Sequence, residues 1–312
     1  MIIRKAERRK AKLRLGLAGP SGSGKTMSAL RLAKGLGGRA CMIDTERGSG
    51  DLYGGMYDYD IITLTPPYAP KVYIEAIKAA EEAGYDVIIT DSLSHAWSDE
   101  GGLLDQADKL TASGKVNNFT VWRELTPQHR ALVNAILNSP AHFIATVRSK
   151  QQYELEEYTD SRGNKKKQPV KVGLAPVFRE GIEYEFSIFF DINQDHFARA
   201  TKDRTNMFAN EVFVIDEKVG ERIMGWLNSG KDDPLTQKQE IVKLLKALGI
   251  EPKSRDEYEV KIKELTGYDL VESQYGSIIT KLTPNNHAGK SKESMETSAR
   301  FKPDGTRVQK VK

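Results

Sequence analysis

The feature that most constrains the fold of this chain is a glycine-rich run over residues 19–26, which fits the pattern G-x-x-x-x-G-K-[ST]. Glycines let a backbone curl around an anion without Cβ clashes, and a curled loop points several N–H groups at one centre. The lysine of the pattern can reach phosphates, and its hydroxyl residue can ligate Mg²⁺. The predicted phosphate-binding residues are Gly19, Pro20, Ser21, Gly22, Ser23, Gly24, Lys25 and Thr26.

The sequence on either side of the run has the order that such a loop needs. Residues 13–18 alternate large apolar and other residues like a strand, and residues 27–34 carry apolar residues at helical spacing. Strand, loop and helix is the context in which this motif binds nucleotides, because the helix N-terminus adds partial positive charge. The alternative, a Gly/Ser-rich turn before a helix, leaves the lysine and threonine unexplained.

Apolar runs alternate with helical segments through the first half of the chain. This alternation predicts an α/β fold with a mainly parallel central sheet flanked by helices. The predicted strands cover 40–43, 60–64, 87–90 and 142–147, and the predicted helices cover 70–83 and 119–138.

The pattern changes after Arg148. Residues 151–172 are typical of a polar β-hairpin, with an acidic arm, a turn at 160–164 and a second arm that opens with three lysines. Two explanations fit the opposite charges of the two arms: charge pairing across the strands, and a loop that faces DNA. Residues 186–192 and 196–201 are predicted to form two antiparallel strands that complete the sheet.

Composition divides the chain into four predicted parts. Residues 1–12 form a basic arm with six basic residues and one acid, which fits either a solubilising arm or a DNA contact. The core covers 13–230, and a small helical module follows over 231–283. Residues 284–312 contain few large apolar residues and are predicted to be disordered.

Bulk properties narrow the class of protein. The 312 residues carry a net charge of +4, and the single cysteine, Cys41, excludes an intramolecular disulfide. The five histidines lack metal-ligand spacing, and no apolar run is long enough to span a bilayer. We therefore predict a cytoplasmic protein without a membrane partner.

Two carboxylates are placed to act beside the phosphate loop. Asp91 ends the apolar run 87–90, the Walker B pattern, and would hold the Mg²⁺ shell with Thr26. Residue 92 is Ser, so the second carboxylate must come from elsewhere. Glu46 follows the strand after the loop's helix and is the predicted general base for water. The alternative for Glu46 is a surface loop acid.

These motifs resemble the RecA-like recombinase core, and more closely the phage-encoded RecA-like ATPases that include Sak-type single-strand annealing proteins. The Walker motifs are specific for NTPases only, and the later stretches indicate the phage group. The matching stretches are residues 19–26, 43–46, 89–92, 145–150, 171–176, 183–186 and 202–205.

The resemblance implies further site residues. Arg148 occupies a sensor-like position, a role that Gln151 and Gln152 could share. Lys202 and Arg204 resemble the basic pair that reaches the γ-phosphate of a neighbouring subunit, where positive charge stabilises the transferring phosphoryl group. Local ion pairs at a hairpin end are the alternative for this pair. A role in trans would require a homo-oligomer.

The resemblance also implies a function: Mg²⁺-dependent ATP binding and hydrolysis by a RecA-like core, coupled to single-stranded DNA binding or annealing in phage recombination or repair. A single-strand-binding protein is a possible partner, and the protein would be located in the host cytoplasm. Residues 98–118 and 151–172 occupy positions suited to DNA-binding loops. The alternatives are an ATP-driven assembly or regulatory switch with no direct DNA role, and a scaffold that binds ATP with little turnover.

Overall fold

The computed structural model describes residues 5–114, 116–117, 120–159, 165–232, 234–250 and 254–283. Residues 11–229 form one compact unit, and the described parts of 1–10 and 230–312 form another. The predicted tail over 284–312 and the hairpin turn over 160–164 lie outside the described residues.

The larger unit is built on a nine-stranded sheet within the described residues, in the order β3-β2-β4-β5-β1-β7-β8-β9, with β6 paired to β5. Neighbours from β3 to β7 run parallel, while β5–β6, β7–β8 and β8–β9 are antiparallel. The strands are β1 (Arg14–Gly19), β2 (Ala40–Asp44), β3 (Asp60–Thr63), β4 (Val87–Asp91), β5 (His142–Thr159), β6 (Lys165–Pro176), β7 (Ile188–Ile192), β8 (Phe197–Asp203) and β9 (Val212–Val214).

Helices cover both faces of this sheet. In the larger unit they are α1 (Lys25–Leu36), α2 (Pro70–Glu82), α3 (His95–Ser98), α4 (Leu103–Ala112), α5 (Val121–Asn138) and α6 (Glu217–Asn228). Ile43 and Phe143 lie in an apolar cluster with residues of α2 and α5, and Met42 and Ile144 lie in another with residues of α1 and α6. Strands buried on both faces read as continuous apolar runs. The prediction of an α/β fold with a mainly parallel sheet flanked by helices is confirmed.

The smaller unit has its own apolar cluster. Three helices, α7 (Pro234–Ala247), α8 (Arg255–Thr266) and α9 (Tyr275–Leu282), bury Ile241, Leu245, Ile262 and Ile278. The backbone N–H of Lys10 donates to the carbonyl of Lys231 at 2.8 Å, so part of the N-terminal arm belongs to this unit.

The structure corrects one sequence expectation. The segment over 98–118, expected to supply a loop, contains helix α4, whose Leu103 and Ala107 pack with residues of α5. The antiparallel pairing of the two predicted hairpin arms is confirmed, and the first arm continues a buried strand, because β5 runs without a break from His142 to Thr159. The glycines that flank the ten-residue helix α4, Gly101 and Gly102 before it and Gly114 after it, had indicated a loop.

His142 at the start of β5 is a buried histidine with a structural contact. Its Nδ1 accepts a hydrogen bond of 3.1 Å from the backbone N–H of Leu13, which joins the entry of β1 to that of β5. Burial, with a smaller contribution from Lys12 and Arg14, lowers the pKa of His142 to about 4. The folded protein therefore disfavours the charged ring.

We expect this histidine to destabilise the protein in acid. The unfolded chain takes up the proton near pH 6.5 and the folded chain only near pH 4, so stability is full above pH 6.5 and falls below it. The loss reaches about 2 to 3 kcal/mol at pH 4. Urea unfolding, followed by the fluorescence of the three tryptophans at pH 7, 5 and 4, measures it.

His142→Asn is the matched variant, because its Oδ1 can accept from Leu13 but does not titrate. The acid-dependent loss should be smaller in this variant than in the wild type. Equal pH dependence in both proteins would contradict the assignment.

Candidate nucleotide-binding site

The glycine-rich run forms the loop between β1 and α1. Gly22 and Gly24 have φ values of +79° and +84°, the left-handed region that favours glycine. A Cβ at Gly19 would lie 2.5 Å from the carbonyl oxygen of Ile192, so the loop passes too close to the end of β7 for a side chain. Each of these three positions thus needs glycine for a steric reason.

Lys25 lies across this loop at the start of α1. Its Nζ donates to the carbonyls of Gly19 at 3.0 Å and Pro20 at 2.9 Å. Burial lowers the pKa of Lys25, while Asp91 and Glu46 oppose that shift. The ammonium group therefore lies at the mouth of the phosphate loop, with two carboxylates near it.

Asp91 lies at the end of β4 with 2% of its surface exposed. The Thr26 hydroxyl donates to its Oδ2 at 2.6 Å, and the Thr146 hydroxyl donates to its Oδ1. Burial raises the pKa of Asp91, and the two hydroxyl donors counteract this. A carboxylate and a hydroxyl in contact are oxygen donors of the kind that Mg²⁺ prefers, so this pair fits the predicted metal.

Glu46 follows β2 and forms a salt bridge with Arg148 in β5. Nη2 of Arg148 lies 2.8 Å from both carboxylate oxygens, and its Nε donates to Oε1 at 3.1 Å. The loop that carries Glu46 is held by Asp44, whose carboxylate accepts from the N–H groups of Glu46 at 2.6 Å and Gly48 at 2.9 Å. The structure thus brings together two residues that the sequence assigned to separate roles.

A buried polar network behind Glu46 escaped the sequence analysis. The Thr45 hydroxyl accepts from the N–H of Ser92 at 2.8 Å and lies 2.6 Å from Nδ1 of His95. Nε2 of His95 lies 3.7 Å from Glu46 and 3.6 Å from Asp99, beside a cavity of about 240 Å³. Burial is the main cause that lowers the pKa of His95. The available signal was the polar character of Ser92, Ser94 and His95, which follow Asp91 in the sequence.

Lys202 and Arg204 lie at the opposite edge of the sheet from the phosphate loop. Asp203 pairs with Ile188, which pairs with Leu15 near the start of β1, whereas the loop follows the end of β1. Both side chains donate to backbone carbonyls of the 183–184 segment. Within one chain, the two side chains therefore bond to their own backbone and lie away from the phosphate loop.

A second missed residue, His196, lies against the loop itself. Its Nδ1 is 3.1 Å from the carbonyl oxygen of Ser23. It comes from the turn between β7 and β8, 173 positions along the chain from Ser23. Among the histidines, which lack any spacing pattern, nothing in the sequence distinguished it.

Sheet order, loop conformation and the Thr26–Asp91 pair together define a P-loop nucleotide-binding domain. A family model described as an AAA domain matches residues 11–229, and the chain belongs to this family. Membership indicates a P-loop ATPase that binds and hydrolyses nucleotide. No curated protein matches the chain.

Within the described ranges, no helix is both long and apolar enough to cross a membrane.

We expect the substitution Asp91→Asn to raise the thermal unfolding midpoint by a few degrees when nucleotide and metal are withheld. The reason is that burial disfavours the ionised carboxylate, whereas an amide can still bond both threonine hydroxyls. The same change should remove the rise in midpoint that Mg²⁺ and ATP give the wild type. Tryptophan fluorescence during heating measures both effects.

The control is Asp108→Asn, on the exposed face of α4. It should leave both midpoints within about a degree of the wild type. A drop in the nucleotide-free midpoint of the Asp91 variant would show that its charge stabilises the fold instead.

Proposed function

We propose that the larger unit hydrolyses ATP with Mg²⁺, coupled to single-stranded DNA binding or annealing in phage recombination or repair. The observation that carries the hydrolytic part is the meeting of Lys25, Thr26, Asp91 and Glu46 at one edge of the sheet. Ligands of open α/β sheets bind at the carboxyl ends of the strands. The loop over 19–26 binds the phosphates, and Thr26 and Asp91 hold the metal.

Each residue has a distinct task in this proposal. Lys25 leaves the carbonyls of Gly19 and Pro20 for the β- and γ-phosphates. Glu46 orients a water and takes its proton. Thr26 and Asp91 would hold Mg²⁺, which would neutralise negative charge that develops on the phosphate oxygens. The tasks are the same as those that the sequence motifs predict.

Arg148 links the phosphate end of the site to Glu46, the proposed general base. Its guanidinium occupies both oxygens of Glu46, and a γ-phosphate at the loop competes for the same donors. Exchange of Arg148 from Glu46 to the phosphate frees the carboxylate to bind water. Arg148 therefore senses the γ-phosphate in this proposal.

The DNA part rests on the family resemblance and on the position of the hairpin. The pairing of β5 with β1 ends at Arg148, beyond which β5 continues paired only with β6, and the Arg148 carbonyl accepts from the N–H of Val177 at 2.6 Å. Lys165, Lys166 and Lys167 open the second arm of this hairpin, and lysines supply the electrostatic part of DNA binding. A shift of Arg148 would thus be transmitted through the backbone to the hairpin arm that carries the three lysines.

The proposal includes a homo-oligomer in which Lys202 and Arg204 of one copy approach the nucleotide of the next. Their position at the edge opposite the loop supports a role in trans rather than in cis. A single-strand-binding protein is the proposed protein partner, and the host cytoplasm the proposed location.

ATP hydrolysis by the full chain, with and without single-stranded DNA, tests this function. We expect DNA to stimulate turnover at about 50 mM salt and to stimulate it less at about 200 mM, because DNA contacts through cations weaken as salt rises. Lys25→Ala is the blank. Glu46→Gln should lower kcat about a hundredfold or more, with little change in KM.

The other outcomes identify the alternatives. If the rate of ATP hydrolysis is the same with and without DNA at both salt concentrations, the recombination role is removed. That result would favour an ATP-driven switch that acts on proteins. Turnover as slow in the wild type as in the Glu46 variant would indicate a scaffold that only binds ATP.

A further inference from the structure

The turn between β7 and β8 is built against the phosphate loop. Besides the 3.1 Å contact between Nδ1 of His196 and the carbonyl of Ser23, the same nitrogen would lie 3.1 Å from a Cβ at Gly24. The imidazole therefore packs on the loop at the residues just before Lys25. His196 as a whole residue is exposed to solvent.

The turn holds His196 firmly in an unusual conformation. Asn193 and Phe197 exchange bonds across it, with Asn193 N–H donating to the Phe197 carbonyl at 3.0 Å and the Asn193 side chain accepting from Phe197 N–H at 2.9 Å. His196 has φ of +67°, a left-handed conformation that glycine or asparagine adopts more easily. The backbone conformation is therefore not what requires a histidine at this position.

Sheet order decides which part of a nucleotide lies near this turn. Glu46, Asp91 and Arg148 follow or belong to β2, β4 and β5, all on one side of β1, whereas β7 and β8 lie on the other. A triphosphate is a linear chain whose γ end must face Glu46 and Arg148. Its α-phosphate and nucleoside therefore point toward the side of His196.

We infer that His196 contacts the nucleoside end of the bound nucleotide; this inference rests on the proposed ATP binding. The carbonyl of Ser23 can only accept, so Nδ1 carries the proton. In the neutral ring, Nε2 is then an acceptor, suited to an N–H of the base or an O–H of the ribose. The loop contact fixes the tautomer, and the other ring nitrogen, Nε2, binds the ligand.

Binding of three ligands to the full chain tests this inference: ATP, ADP and inorganic tripolyphosphate, each with Mg²⁺. The variant is His196→Asn, since asparagine tolerates the left-handed turn but is too short to replace the imidazole. We expect the Kd for ATP and ADP to rise roughly five- to tenfold, the loss of about one hydrogen bond. The Kd for tripolyphosphate, which has no nucleoside, should not change.

The control is Asn210→Gly, at another exposed left-handed position, with φ of +60°. It lies in the segment between β8 and β9 and should leave all three affinities unchanged. His196→Gly, which also suits the turn, should repeat the pattern of His196→Asn.

Two results with the His196 variants would overturn the inference while ATP binding by the wild type stands. An equal rise in Kd for all three ligands would mean that His196 only supports the loop. No change in any Kd would mean that His196 contacts no part of the bound nucleotide. A wild type that binds ATP no better than Lys25→Ala would instead remove the proposed function, and this inference with it.

Discussion

The buried carboxylate of Asp91 is the contact on which the geometry of the site depends. It accepts hydroxyl hydrogen bonds from Thr26 at the start of α1 and from Thr146 in β5, and so fixes a helix and two strands around one point. A buried carboxylate needs such donors, or a cation, to remain charged. The position of the phosphate loop relative to the sheet edge is therefore set by the same group that would hold the metal.

The four charged side chains of the proposed hydrolytic site carry opposite signs in equal number. Lys25 and Arg148 supply two cations, and Asp91 and Glu46 supply two carboxylates, with Arg148 and Glu46 directly paired. The Arg148–Glu46 pair is partly exposed, with side-chain exposures of 45% and 29%, so it stabilises the fold little. A weak pair of this kind can exchange partners readily, which suits the phosphate-sensing role proposed for Arg148.

The sequence predicted those site residues whose signal is local. The phosphate loop is contiguous, and Asp91 and Glu46 each follow an apolar strand of a parallel sheet, whose carboxyl ends meet at one edge. Thr146, His95 and His196 could not be found in this way, because their partners lie 55, 50 and 173 positions away. Helix α4 was missed for another reason: its flanking glycines, read alone, indicate a loop.

The continuity of β5 has a mechanical consequence. The strand passes the phosphate loop with Gly19 opposite Arg148, then runs eleven residues further to Thr159, a reach of about 35 Å. Its register with β6 shifts once, between Gln152 and Tyr153. A hydrogen-bonded ribbon anchored at one end acts as a lever arm. Over this reach, a rotation of about five degrees beside Arg148 would move Thr159 by about 3 Å.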